Sequence, residues 1–290
     1  MEIPDIAKKK FVITAELGPP KGTDMTGFFK QAGHLKGIVD ACNVTDSQAA
    51  IMKMGPVACC HLLKDFGIEP ILQITCRDRN RIAIQSELLA AAALGIRNVL
   101  VLTGDPIHIG DHPEAKPVFD IDAADLIALI HRMEKGQDHS GNRLDGAPEF
   151  AVAAALNPCV NDLDTELAKT ARKIEKGAEF FQTQGIFDPA LFDRFIRLYR
   201  EKGFHAPILA GIILLKSSKM ARFMNEKIPG IRIPQTLIGR LDKASNPRKE
   251  SVRIASETIR ALRPSVQGVH LMALGWEELL PEVIRESGIA

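Results

Sequence analysis

The chain has 290 residues, with 37 Lys+Arg against 36 Asp+Glu for a formal net charge of +1, and is 46% apolar and 25% charged. This composition is ordinary for a globular protein. A core can be buried without disulfides or metals, and whole-chain charge makes no case for nucleic acid or a membrane surface. With no run of about 18 apolar residues, no apolar stretch behind the charges of MEIPDIAKKKF, and only one Trp and one Tyr, we expect no bilayer span, no secretory signal, no aromatic nucleic-acid platform and a cytoplasmic location.

Along the chain, short β-branched or apolar runs alternate with longer stretches of helical spacing. The runs are FVITAEL (11–17), ACNVTD (41–46), PILQITC (70–76), NVLVLTG (98–104), FAVAAALN (150–157), FFQTQGIF (180–187), PILAGIILL (207–215) and GVHLMAL (268–274). Most are nearly continuously apolar, as parallel strands covered on both faces are. Between them, QSELLAAAALG, IDAADLIALIHRMEKG and DLDTELAKTARKIEKGA read as helices, the last two stopping at Gly136 and Gly177. The five cysteines are odd in number and contain no CxxC, which argues against a disulfide framework or a metal site. Cys59 and Cys60, in VACCHLL, read as small buried helix residues.

Eight β-then-α units predict an α/β protein closed into a (β/α)8 TIM barrel, with residues 1–290 forming one catalytic domain and no regulatory domain. An open doubly wound sheet is the alternative, but no GxGxxG follows the first strand. Residues 105–120 (DPIHIGDHPEAKPVFD) form a long insertion on the strand-end face, where function concentrates. Residues 135–149 read as an ordinary mobile loop on the opposite face, and 229–251 as an irregular link before the last long helix.

In such a barrel the strand C-termini share one mouth. Glu16 interrupts an apolar strand just before LGPP. Burial disfavours a charged carboxyl, so Glu16 reads either as a proton donor or as a glutamate salt-bridged to a neighbouring strand. Thr103-Gly104-Asp105-Pro106 reads either as a ligand-contacting turn, with Gly104 allowing close approach, or as a plain βα turn. Gln184 could meet the edge of a planar heterocycle or bond a neighbouring strand end. Arg172 and Lys173 could meet phosphate or form a solvated helix face.

In this order, ITAELGPP, NVTDSQ, QITCRD, VLTGDP, EKGAEFFQTQGIFD and GIRIP resemble the methylenetetrahydrofolate reductase family over residues 11 to about 275. The resemblance implies FAD in the barrel and reduction of 5,10-methylenetetrahydrofolate to 5-methyltetrahydrofolate, with the flavin giving a hydride to a 5-iminium cation. It assigns Glu16 as general acid for the ring opening, Asp105 as the group stabilising the cation, and Gln184 as a folate ligand. FAD contacts fall to Thr45, Gln73, Thr103, Gly104, Asp105, Asn157, Glu166, Arg172 and Lys173. Another pterin barrel, such as a flavin-independent methyltetrahydrofolate methyltransferase, is the competing function. A barrel whose strand-end glutamate is purely structural is a further one.

Four positions, at three places in the chain, depart from the family pattern. Thr103 stands where well-known members have Arg, Gly185-Ile186 where many have aromatics, and Ser218 where an aromatic receives nicotinamide. We therefore expect NAD(P)H to be a poor direct reductant. The electrons would come instead from a cysteine-rich or iron–sulfur partner subunit, within an oligomer. Stopped-flow mixing of isolated, flavin-loaded protein with NADH should show slow bleaching, and rapid bleaching would refute the expectation.

Overall fold

The computed structural model describes residues 2–228 and 230–290. Among them, eight parallel strands close in sequence order, with β8 hydrogen-bonded back to β1. They are β1 (Val12–Leu17), β2 (Ala41–Val44), β3 (Pro70–Thr75), β4 (Asn98–Leu102), β5 (Ala151–Leu156), β6 (Phe180–Gly185), β7 (Ile208–Ile213) and β8 (Gly268–Met272). Each lies inside its expected run and gives up only one to three residues at the ends, so the barrel expectation holds and the open sheet does not. No helix among the described residues is long and apolar enough to cross a membrane.

The helices start where side chains can satisfy their free N–H groups. Asn80 caps α4 (Arg81–Ala93), Asp122 caps α5 (Ala123–Glu134), Asp162 caps α6 (Leu163–Glu175) and Asn246 caps α10 (Pro247–Leu262). Each such cap is worth about 1 kcal/mol. The earlier helices are α1 (Ile3–Ala7), α2 (Thr26–Gly33) and α3 (Pro56–Asp65), and Cys59 and Cys60 are buried in the last. Burial pushes the Cys59 thiol up to about 11 and that of Cys76 to about 12, so neither is a ready nucleophile.

Inside the barrel, Val12, Ala41, Ile71, Leu100, Ala151, Ala153, Phe180 and Leu209 fill the N-terminal half. Ile3 and Ile6 of α1 plug it from below, and Asn98 accepts a 3.0 Å hydrogen bond from the Ile3 N–H. Above this apolar plug lies a polar layer. Asn43 and Gln182 exchange two amide hydrogen bonds of 2.7 and 3.1 Å from strands on opposite sides of the barrel, while Thr14 and His270 pair at 3.1 Å. That layer is the floor of the mouth.

Two loop expectations need correction. Residues 135–149 form a pinned turn rather than a loose loop: Gln137 and Arg143 bridge, and the His139 N–H and ring bond to Gln85 and Arg81 of α4. After α7 (Pro189–Glu201) and α8 (Ser218–Lys227), the 229–251 stretch contains α9 (Gln235–Lys243) and the start of α10, while Pro229 lies outside the described residues. Pro234 and Pro247 sit at helix starts, where a missing N–H costs nothing.

At the N-terminal face, His131 of α5 lies between two acceptors. Nδ1 is 2.6 Å from a Glu134 carboxylate oxygen and Nε2 is 2.9 Å from the Gly177 carbonyl. Only the doubly protonated ring can donate to both, and the Glu134 hydrogen bond, assisted by the Gly177 carbonyl, raises its pKa. Gly177, at φ +105, must be glycine because a Cβ would strike the His131 ring. A raised folded-state value means that the stabilisation is full below the unfolded value of about 6.5 and is lost as pH rises through the folded value. His131→Asn should therefore lower Tm by roughly 2–4 °C at pH 5.5 and by less at pH 8.5, as read by calorimetry.

Candidate active site

The mouth holds an open cavity of about 460 Å³ lined from several strand ends, a size suited to a cofactor or small-molecule substrate. Glu16, Gln73, Thr103, Gly104, Asp105, Asn157, Glu166, Lys173 and Gln184 all line it. Two expected residues do not. Thr45 is buried behind the wall near Gly18. Arg172 turns outward and bonds Asp122 at 2.5 Å and Asp125 at 2.9 Å.

Glu16, at the end of β1, is nearly buried, with its side chain 10% exposed. Gln48 and Gln73 each donate to one of its oxygens at 3.2 Å. His270, on the neighbouring strand β8, places Nε2 3.6 Å from Oε2. The Thr14 hydroxyl is 3.2 Å from the Val269 carbonyl, to which it donates, so its oxygen is left to accept from Nδ1–H of His270. Nε2 then faces the Glu16 carboxyl from the neighbouring strand.

Asp105 follows Gly104, whose φ is +96. A Cβ at Gly104 would lie 2.8 Å from Cβ of Arg77, so glycine lets this turn pack against the end of β3. One Asp105 oxygen accepts from the Ala49 N–H at 2.8 Å. The insertion 105–120 is fastened on this face: Asp111 accepts from the Met52 N–H at 3.0 Å and pairs with Lys21, and the Val118 N–H bonds the Arg77 carbonyl at 2.7 Å.

The β5–α6 side carries two lysines and a glutamate. Lys169 and Lys173 reach the cavity from α6, and Glu166 accepts from the Asn157 N–H at 2.9 Å. Lys173 donates to the Ala155 carbonyl at 2.7 Å. Burial lowers its pKa, with the Glu166 charge opposing.

Sequence reasoning missed Arg77, Gln48, Lys169 and His270. Arg77 follows the apolar run PILQITC directly, and His270 is the one ionisable residue in GVHLMAL. Arg77 was visible as the charge that ends its run, and His270 as a polar interruption inside β8.

A model of the family "Methylenetetrahydrofolate reductase" matches residues 2–288. Methylenetetrahydrofolate reductase 2 of Schizosaccharomyces pombe is 28% identical over 77% of this chain and 36% of its own length. The 5,10-methylenetetrahydrofolate reductase of Pectobacterium carotovorum is 26% identical over 77% of this chain and 71% of its own. The chain thus spans little more than a third of the length of several curated relatives it matches. Among solved structures, a protein from Clostridium thermocellum described as binding two copies of 5-methyl-5,6,7,8-tetrahydrofolic acid superposes with TM-score 0.66 at 15% identity, covering 98% of both chains. EDTA monooxygenase from Chelativorans shares the fold at TM-score 0.59 and 10% identity, covering 97% of this chain and 95% of that one.

Lys173→Met should weaken binding of inorganic pyrophosphate by about tenfold in calorimetric titration, the loss expected for one charge-assisted hydrogen bond. In the parent, affinity should fall at a lower pH than for an ordinary lysine, because the lowered pKa discharges the ammonium sooner.

Proposed function

The chain belongs to the methylenetetrahydrofolate reductase family, and on that footing we propose that it reduces 5,10-methylenetetrahydrofolate to 5-methyltetrahydrofolate with FAD held in the barrel mouth. The observation that carries this reading is the convergence of Glu16, Asp105 and Gln184, from three different strands, on a cavity whose β5–α6 side bears Lys169 and Lys173. The match to a folate-binding barrel in Clostridium thermocellum is consistent with it.

The residues present fit a flavin dinucleotide. Gln73 and Thr103 offer neutral hydrogen-bonding groups, and Lys169 with Lys173 supplies charge for a pyrophosphate. Asn157, Glu166 and Asp105 complete the set that would hold it. Arg172 would contribute only by leaving Asp122 and Asp125. Bound there, FAD would supply the two electrons of the reduction.

The chain's own residues handle the folate. Gln184, with one donor and one acceptor, orients the pterin edge. Glu16 gives a proton to the folate nitrogen as the one-carbon bridge opens. Asp105, fixed by the Ala49 N–H, places negative charge beside the cation that opening creates. The electron donor in this reading is a partner subunit rather than NAD(P)H.

A visible spectrum of the anaerobically reduced protein, mixed with methylenetetrahydrofolate, tests the reading: the flavin bands should return. Absence of flavin after reconstitution would point to a flavin-independent pterin barrel. Glu16→Gln should cut folate turnover by about 10²–10⁴-fold while leaving flavin binding and reduction within a few fold. Equal loss of both would make Glu16 structural.

A further inference from the structure

The segment after β2 has an unusual backbone. Ser47, Ala49 and Ala50 have φ of +46, +55 and +54, left-handed values that side-chain-bearing residues adopt only when their surroundings impose them. This turn makes two outward contacts that matter. The Gln48 amide donates to Glu16 at 3.2 Å, and the Ala49 N–H donates to Asp105 at 2.8 Å. Two consecutive residues thus set the positions of two carboxylates from different strands.

Arg77 is what holds the turn from the barrel side. Its side chain is 2% exposed. One edge is spent on its sequence neighbour: Nε and Nη2 bond the Asp78 carboxylate at 2.8 and 2.6 Å. With its charge matched there, the guanidinium turns its remaining donors to backbone. Nη2 donates to the Ser47 carbonyl at 3.1 Å and Nη1 to the Asp105 carbonyl at 3.4 Å. From the outside, Gly110 lies on Ala50 so closely that a Cβ there would collide with the Ala50 carbonyl.

We propose that Arg77 is a positioning residue that clamps the left-handed turn Ser47–Ala50 to the Asp105 backbone, and so holds Glu16 and Asp105 in their mutual geometry. It acts through Gln48 and Ala49 rather than as a charge offered to a ligand. The proposal rests on the reductase reading for the roles of the two carboxylates, but the clamp itself does not.

The test uses the full chain with Arg77→Met, Arg77→Lys, Ala49→Gly and the double substitution Arg77→Met/Ala49→Gly. Amide exchange over residues 45–52 is read by mass spectrometry, and kcat and KM for the folate are read separately. Arg77→Met should lose about tenfold or more of the exchange protection in that segment alone, and kcat should fall by a larger factor than KM changes. Glycine at 49 adopts the left-handed conformation without help, so the double variant should recover part of both losses. Lost turnover with unchanged exchange and no glycine rescue would overturn the proposal in favour of a ligand-facing charge, and fold-wide loss of protection would overturn it in favour of a general structural role. If Arg77→Met does not fold, Arg77→Lys is read by the same criteria, since its single ammonium cannot span the Ser47 and Asp105 carbonyls together. A parent protein without folate turnover would defeat the reductase reading and leave the exchange comparison to decide the role of Arg77.

Discussion

Closure of the barrel brings Asn43 and Gln182 face to face, and their reciprocal amide hydrogen bonds set the height of everything above. A buried amide without partners costs several kcal/mol in an apolar interior, so a polar layer inside a closed barrel must satisfy itself. Strands on opposite sides do this here by direct pairing. Below the pair, the interior can be wholly apolar and is plugged by Ile3 and Ile6. Above it, the space becomes a cavity lined by Glu16, Asp105 and Gln184.

The mouth inherits its electrostatics from that arrangement. Acidic groups come from β1 and β4, each fixed by neutral donors: Gln48 and Gln73 for Glu16, the Ala49 N–H for Asp105. The lysines come from α6, beside Glu166, and Arg77 after β3 is matched by Asp78. Among the described residues neither Glu16 nor Asp105 pairs with a lysine, which leaves both open to a proton or a cation. A carboxylate already bound to a lysine would resist both. Arg79 shows the opposite arrangement: it grips Asp46 at 2.7 and 3.1 Å and removes that carboxylate from chemistry, while Thr75 closes the remaining acceptor sites.

Much of this was legible in the chain. Continuous apolar runs alternating with capped helical stretches leave little besides a parallel sheet, and eight of them close. Glu16 and Asp105 stood out because a carboxylate at the end of an apolar strand needs a reason. The loops were less legible. Prolines 234 and 247 look like breakers in sequence, and only the helices that follow show them to be starters. The 135–149 turn looked loose because its anchors, Gln85 and Arg81, lie more than fifty residues away.

By itself, then, the sequence determined the strand set, the barrel and the strand-end residues, because periodicity and capping are local properties that residue spacing encodes directly. The tertiary structure alone decided which of those residues meet. Arg172 and Lys173 are neighbours in sequence, yet a helix turns successive residues about 100° apart, so one pairs with α5 while the other enters the cavity. His270 reaches Glu16 because the last strand closes against the first, a pairing between positions 254 residues apart. The left-handed turn at 47–50 has no glycine to announce it, since it is imposed from outside by Arg77 and Gly110.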